Sequence, residues 1–177
     1  VLAAGRKNAE DTAKLVVAAS GADADKISEV IVSAGAEDPV ATGVVVSKSA
    51  GLDPEKTGDL VSRTKDPKVM GDIIAEASVD NPEAMGPAMT HSAIKNPEST
   101  AAVLISAARR NTQATTNTLV SEKGPGRNKA ALLALSRRIP AASLTRRVLP
   151  VVGVPPSGVG FWASVGSPAP IDEILSK

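Results

Sequence analysis

Residues 53–97 read DPEKTGDLVSRTKDPKVMGDIIAEASVDNPEAMGPAMTHSAIKNP, and an Asp-Pro or Asn-Pro pair recurs along them at Asp53, Asp66, Asn81 and Asn96. The same residue types continue the series outside this stretch, at Asn8, Asp23, Asp38 and Asn111. The steps are 15 residues long, apart from one of 13. Regular spacing of this kind indicates an internal repeat, which decides the architecture of a chain. We call these eight residues the markers and count repeat positions from them.

Each marker predicts the start of a helix. Asp or Asn at an N-cap accepts a hydrogen bond from a free backbone N–H of the first turn. Proline suits the next position, because its missing N–H has no partner there and its φ is already helical. Glu55, Glu83 and Glu98 follow three of these prolines and place negative charge at the positive end of the helix dipole.

The residues after each marker predict one apolar face per helix. Position +5 is small, for example Gly43, Gly58 and Gly71, and position +11 is small or short in most units. Positions +7 and +8 are mostly bulky, as in Leu15-Val16 and Val30-Ile31. This spacing lies on one side of an α-helix and does not fit the alternation of a strand.

We therefore expect an all-α fold, with residues 1–123 forming an α-solenoid of about eight single-helix repeats of roughly 15 residues. Links of two to four residues would fold neighbouring helices into antiparallel hairpins. The layout resembles tetratricopeptide and armadillo arrays, although the Trp…Leu-Gly…Tyr signature of the former is absent. Small interior residues predict a thin core, which explains why Phe161 and Trp162 are the only aromatic residues.

Residues 124–148 form a basic segment, for which one or two helices are predicted after Gly124-Pro125-Gly126. No acidic residue occurs between Lys123 and Asp172. Arginine pairs end the two predicted helices, Arg137-Arg138 and Arg146-Arg147. Three interpretations stay open: a cap on the last repeat, a docking surface for acidic protein or anionic lipid, and nucleic-acid binding. The last is disfavoured, since no aromatic residue accompanies the arginines to stack bases.

Residues 149–177 are apolar yet rich in proline and glycine, which predicts an extended arm followed by the start of a further helix. Phe161 and Trp162 are its candidate anchors, because aromatic residues dominate binding at interfaces. The arm would pack either on its own solenoid or on another subunit. The candidate partner-binding residues are Arg137, Arg138, Arg146, Arg147, Phe161 and Trp162.

Chemistry-bearing residues are sparse. The chain has no cysteine and a single histidine, His91, within a predicted helix. One histidine cannot complete a zinc site, but it could serve as the axial ligand of a porphyrin or pigment. The acidic residues mostly occupy cap and first-turn positions, so no general acid–base pair is indicated. We predict no metal, no catalytic residue and no enzymatic activity.

The main hypothesis is a non-catalytic scaffold or linker subunit that binds other protein subunits. The alternatives are a small-molecule or pigment carrier that uses the concave face or His91, and an enzyme with an unrecognised site. A first residue other than methionine, a basic amphipathic stretch and an apolar arm also suit a subunit peripheral to a membrane complex. An organellar setting such as a thylakoid light-harvesting assembly is one example.

Overall fold

The computed structural model describes residues 2–137, and this part of the chain is helical without strands. The helices are α1 (Leu2–Lys7), α2 (Ala9–Ser20), α3 (Ala24–Glu37), α4 (Pro39–Leu52), α5 (Pro54–Ser62), α6 (Pro67–Asp80), α7 (Pro82–Lys95), α8 (Pro97–Arg110), α9 (Thr112–Val120) and α10 (Lys129–Ser136). They pack in neighbouring pairs, which confirms the predicted all-α helical repeat.

A marker is the only residue between two helices at most junctions, so the links are shorter than the two to four residues predicted. Asp38 shows the arrangement: its N–H donates to the carbonyl of Ala34 in α3 at 2.9 Å, while its side chain accepts from the N–H of Ala41 in α4 at 3.0 Å. Its backbone is extended, with φ −148° and ψ 89°. One residue thus ends one helix, turns the chain and caps the next helix.

Two sequence features support this turn. A residue that precedes proline is kept out of the α-helical region by the proline ring, which favours the extended backbone at the marker. Position +4 is threonine in several units, and its hydroxyl donates to the marker carbonyl. These bonds are Thr12 to Asn8, Thr57 to Asp53, Thr100 to Asn96 and Thr115 to Asn111, at 2.8–2.9 Å.

The helices stack so that α2, α4, α5 and α6 each pack most extensively against the helix two positions later. In this contact, position +5 of one unit meets position +11 of the unit two further on. The pairs are Gly43 with Ala77, Gly58 with Ser92 and Gly71 with Ala107, and a Cβ on each glycine would lie 2.9–3.1 Å from the backbone nitrogen of its partner. The two small positions therefore exist for the same reason, which is close backbone approach.

The core is formed by positions +7 and +8 and lies between the stacked helices. Position +8 is buried in all eight marked units, from Val16 to Leu119. From the third unit onward position +7 is buried too, and it packs against a small residue at position +12 three units earlier. A Cβ on Gly35 would overlap Ile73, and one on Gly5 would lie 2.9 Å from Val45. The sequence analysis did not identify this third small position.

The helix α10 continues the series of capped helices. Asn128 lies 17 residues after the last marker, and its side chain accepts from the N–H of Ala131. A 3₁₀ turn at Pro125–Arg127 fills the longer step. The buried residues Ala131 and Leu135 belong to a helix that packs against α7 and α8. The first predicted basic helix therefore closes the end of the described stack.

Ion pairs connect helices two units apart along the surface. Lys65 pairs with Glu29 at 2.6 Å and Lys95 with Asp59 at 2.6 Å. Burial raises the pKa of Asp59, but hydrogen bonds from Lys95 and Arg63 outweigh it and hold the pKa below its usual value. Their stabilising effect is therefore present above the unfolded pKa of about 4 and is lost as the pH falls through the lower folded value.

Replacing Gly71 with alanine tests the close contact between stacked helices. The new methyl group would overlap Ser106 and lie 2.9 Å from the nitrogen of Ala107, so Gly71→Ala should lower the free energy of unfolding by about 1–3 kcal/mol. Gly51→Ala is the matched control, because the nearest atom is 4.0 Å away. There alanine should stabilise the helix by about 0.5–1 kcal/mol. Denaturant unfolding followed by circular dichroism measures both, and equal effects at the two sites would contradict the packing.

Candidate interaction surfaces

An exposed apolar face lies on the first two full repeats. Leu15 in α2 is 68% exposed and Val30 in α3 is 44% exposed, although both occupy position +7. The sequence analysis placed them on the buried stripe, and that expectation was wrong for these two residues. Position +7 is covered by the helix three units earlier, and the described residues contain no such helix for α2 or α3. We call Leu15, Ala18, Val30 and Ser33, all exposed, the α2–α3 face.

The surroundings of the α2–α3 face are acidic. Residues 8–37 contain six acidic and two basic side chains, a net charge of −4. Arg63 and Lys65 of α5 pair with Asp25 and Glu29, which leaves a net charge of −2 when these two cations are included. Asp11 lies one helical turn before Leu15, on the same side of α2, and its side chain is 64% exposed.

Other exposed apolar residues in the described part of the chain are isolated near helix ends. They are Val40 and Leu52 of α4, Val79 of α6 and Ile94 of α7. Single exposed apolar side chains are common on soluble proteins. The α2–α3 face differs from them because two adjacent helices expose the same repeat position.

A groove of about 440 Å³ opens beside His91. The helix α7 contributes Pro87, Thr90, His91 and Ile94 to its lining, and the start of α5 contributes Pro54 and Glu55. The rest comes from the loop after α9, including Lys123 and Arg127. The helix α9 ends early, at Val120, where other repeats continue for another turn or more. This early end replaces a helical turn with a loop and creates the groove.

Two hydrogen bonds fix the loop that borders the groove. The Thr90 hydroxyl donates to the carbonyl of Lys123 at 2.7 Å, and Arg127 Nε donates to the carbonyl of Val120 at 2.9 Å. Gly86 allows the loop to approach, since a Cβ there would overlap Ser121 Oγ. The groove therefore has a defined wall. It brings together one imidazole, the carboxylate of Glu55 and two cations.

His91 thus lines a groove, but it is partly buried and stands alone as a candidate ligand. Within residues 2–137, no group of three or more His, Cys, Asp or Glu side chains could hold a metal ion. A porphyrin or pigment bound through His91 stays a prediction. No signal in the sequence pointed to the groove, because it depends on where α9 ends.

Of the predicted partner-binding residues, the structure describes Arg137. Its exposed side chain stands directly after α10, and its N–H donates to the carbonyl of Leu135. The other five, Arg138, Arg146, Arg147, Phe161 and Trp162, lie outside the described residues. The predictions for the second basic helix and the extended arm lie there too.

Comparison with known proteins gives no relative. No protein-family model, curated protein or solved structure matches the chain. None of the helices in residues 2–137 is both long enough and apolar enough to cross a membrane. The functional argument therefore depends on the geometry of the repeats.

Proposed function

We propose that the protein is a non-catalytic scaffold subunit, whose helical stack holds other proteins of a larger assembly through the α2–α3 face. One observation carries the proposal: Leu15 and Val30 occupy the repeat position that is buried in every later unit, yet both are exposed. A repeat protein presents the same position many times, so the uncovered copies have a shape that a helical partner can match.

The energetics favour covering this face. Burying a Leu or Val side chain that was exposed to water contributes about 1.5–3 kcal/mol. Ala18 and Ser33 beside them are small, so a partner helix could approach closely, as it does elsewhere in the stack. The exposed carboxylates around the face, such as Asp11, would favour a partner with basic residues at its rim.

Charge substitution on the face tests the proposal. We expect Leu15→Glu with Val30→Glu to remove proteins that co-purify with the tagged chain, while the circular dichroism spectrum stays unchanged. Val79→Glu is the matched control, because Val79 is 58% exposed on α6, away from the face. Quantitative mass spectrometry of the co-purified proteins compares the variants. Retention of the same proteins by the double variant would contradict the proposal.

A second candidate function is binding of a small molecule in the groove beside His91, and the fixed wall of the groove favours it. The ligand would have both an apolar part, against Pro87 and Ile94, and polar groups, for His91 and the charged rim. Native mass spectrometry and absorbance of the purified chain should then show a bound molecule that His91→Ala loses. The Leu15→Glu, Val30→Glu variant should retain it. A chain without bound mass, or an unchanged His91→Ala spectrum, rejects this candidate.

A further inference from the structure

We propose that the α2–α3 face binds the C-terminal segment of this chain, residues 138–162, and this inference rests on the proposed role of the face in protein binding. Charge is the first argument. Residues 138–171 contain Arg138, Arg146 and Arg147 and no acidic residue, so they carry a net charge of +3. The helices that carry the face have a net charge of −4, or −2 with the two cations of α5.

Apolar complementarity is the second argument. The segment contains Phe161 and Trp162, the only aromatic residues of the chain. The α2–α3 face offers Leu15 and Val30 as apolar contacts, with Ala18 and Ser33 leaving room between them. Large aromatic side chains against a small-residue surface are the usual anchors of a protein contact.

Reach is the third argument. The contacts run from α2 through α4, α6 and α8 to α10, which makes four helix-to-helix steps. At about 8–10 Å a step, α10 lies roughly 30–40 Å from α2. The 24 residues from Arg138 to Phe161 can span about 80 Å when extended at roughly 3.3 Å each. The segment is therefore long enough to reach the face of its own chain, and the same contact can form between two chains.

The groove beside His91 is a poorer site for this segment. Lys123 and Arg127 line it, and both would repel a segment rich in arginine. The α2–α3 face has more carboxylates than cations around it. Among the surfaces of the described residues, the face thus combines the charge and the apolar character that the segment requires.

Site-directed cross-linking on the full chain tests this inference, because the chain contains no cysteine of its own. One variant carries Leu15→Cys with Phe161→Cys, and the matched control carries Val79→Cys with Phe161→Cys. A short bismaleimide should cross-link the Leu15 pair several-fold faster than the Val79 pair. Denaturing gels separate a product of monomer mass from one of dimer mass, and either product supports binding of the segment to the face.

Charge dependence provides the second measurement. Adding Arg146→Glu with Arg147→Glu to the Leu15 pair should slow its cross-linking several-fold, and raising the ionic strength should act in the same direction. Equal rates for the Leu15 and Val79 pairs, or no effect of the arginine substitutions, would overturn the inference. If that happens while Leu15→Glu with Val30→Glu still removes the co-purifying proteins, the face binds other proteins, and the role of this segment alone is rejected.

Discussion

The hydrogen bond from a first-turn N–H to the side chain of each marker is the interaction on which the rest of the structure depends. At most junctions the marker makes it while its own N–H still belongs to the preceding helix, as at Asp38 and Asn96. One residue therefore closes one helix and opens another. A loop of several residues could turn the chain in many directions, whereas a single extended residue before proline restricts it to a narrow range. The constant length of the repeat follows from this restriction.

Constant length brings the same repeat positions together throughout the stack. Position +5 meets position +11 two units later, and position +12 meets position +7 three units later. Glycine, alanine and serine are needed at the close contacts, so the interior has little room for aromatic residues. Short helices with such a thin core are marginal by themselves. Each depends on its neighbours, and the uncovered residues Leu15 and Val30 are the cost of this dependence at one end. The functional proposal grows from that end of the stack.

The sequence was sufficient to predict the helices and their starts, because capping is a local interaction of residues close in the chain. The small residues at position +5 were also correctly placed at close contacts. The length of the links was not, since a pattern cannot distinguish a one-residue turn from a frayed helix end. Exposure of Leu15 and Val30 was missed for a different reason: burial depends on which helix lies opposite, and the helical period is the same in every unit. The groove beside His91 depends on the early end of α9, which no local signal marks.

The central claim is that helices two units apart meet through their small positions. Nuclear Overhauser contacts in the full chain, labelled with ¹³C and ¹⁵N, test it most directly. The account predicts contacts from the α-protons of Gly43 to Ala77, of Gly58 to Ser92 and of Gly71 to Ala107, which are 34, 34 and 36 residues apart. Their absence, with contacts from these glycines only to the helices next in sequence, would contradict the stacked arrangement and the role given to the markers.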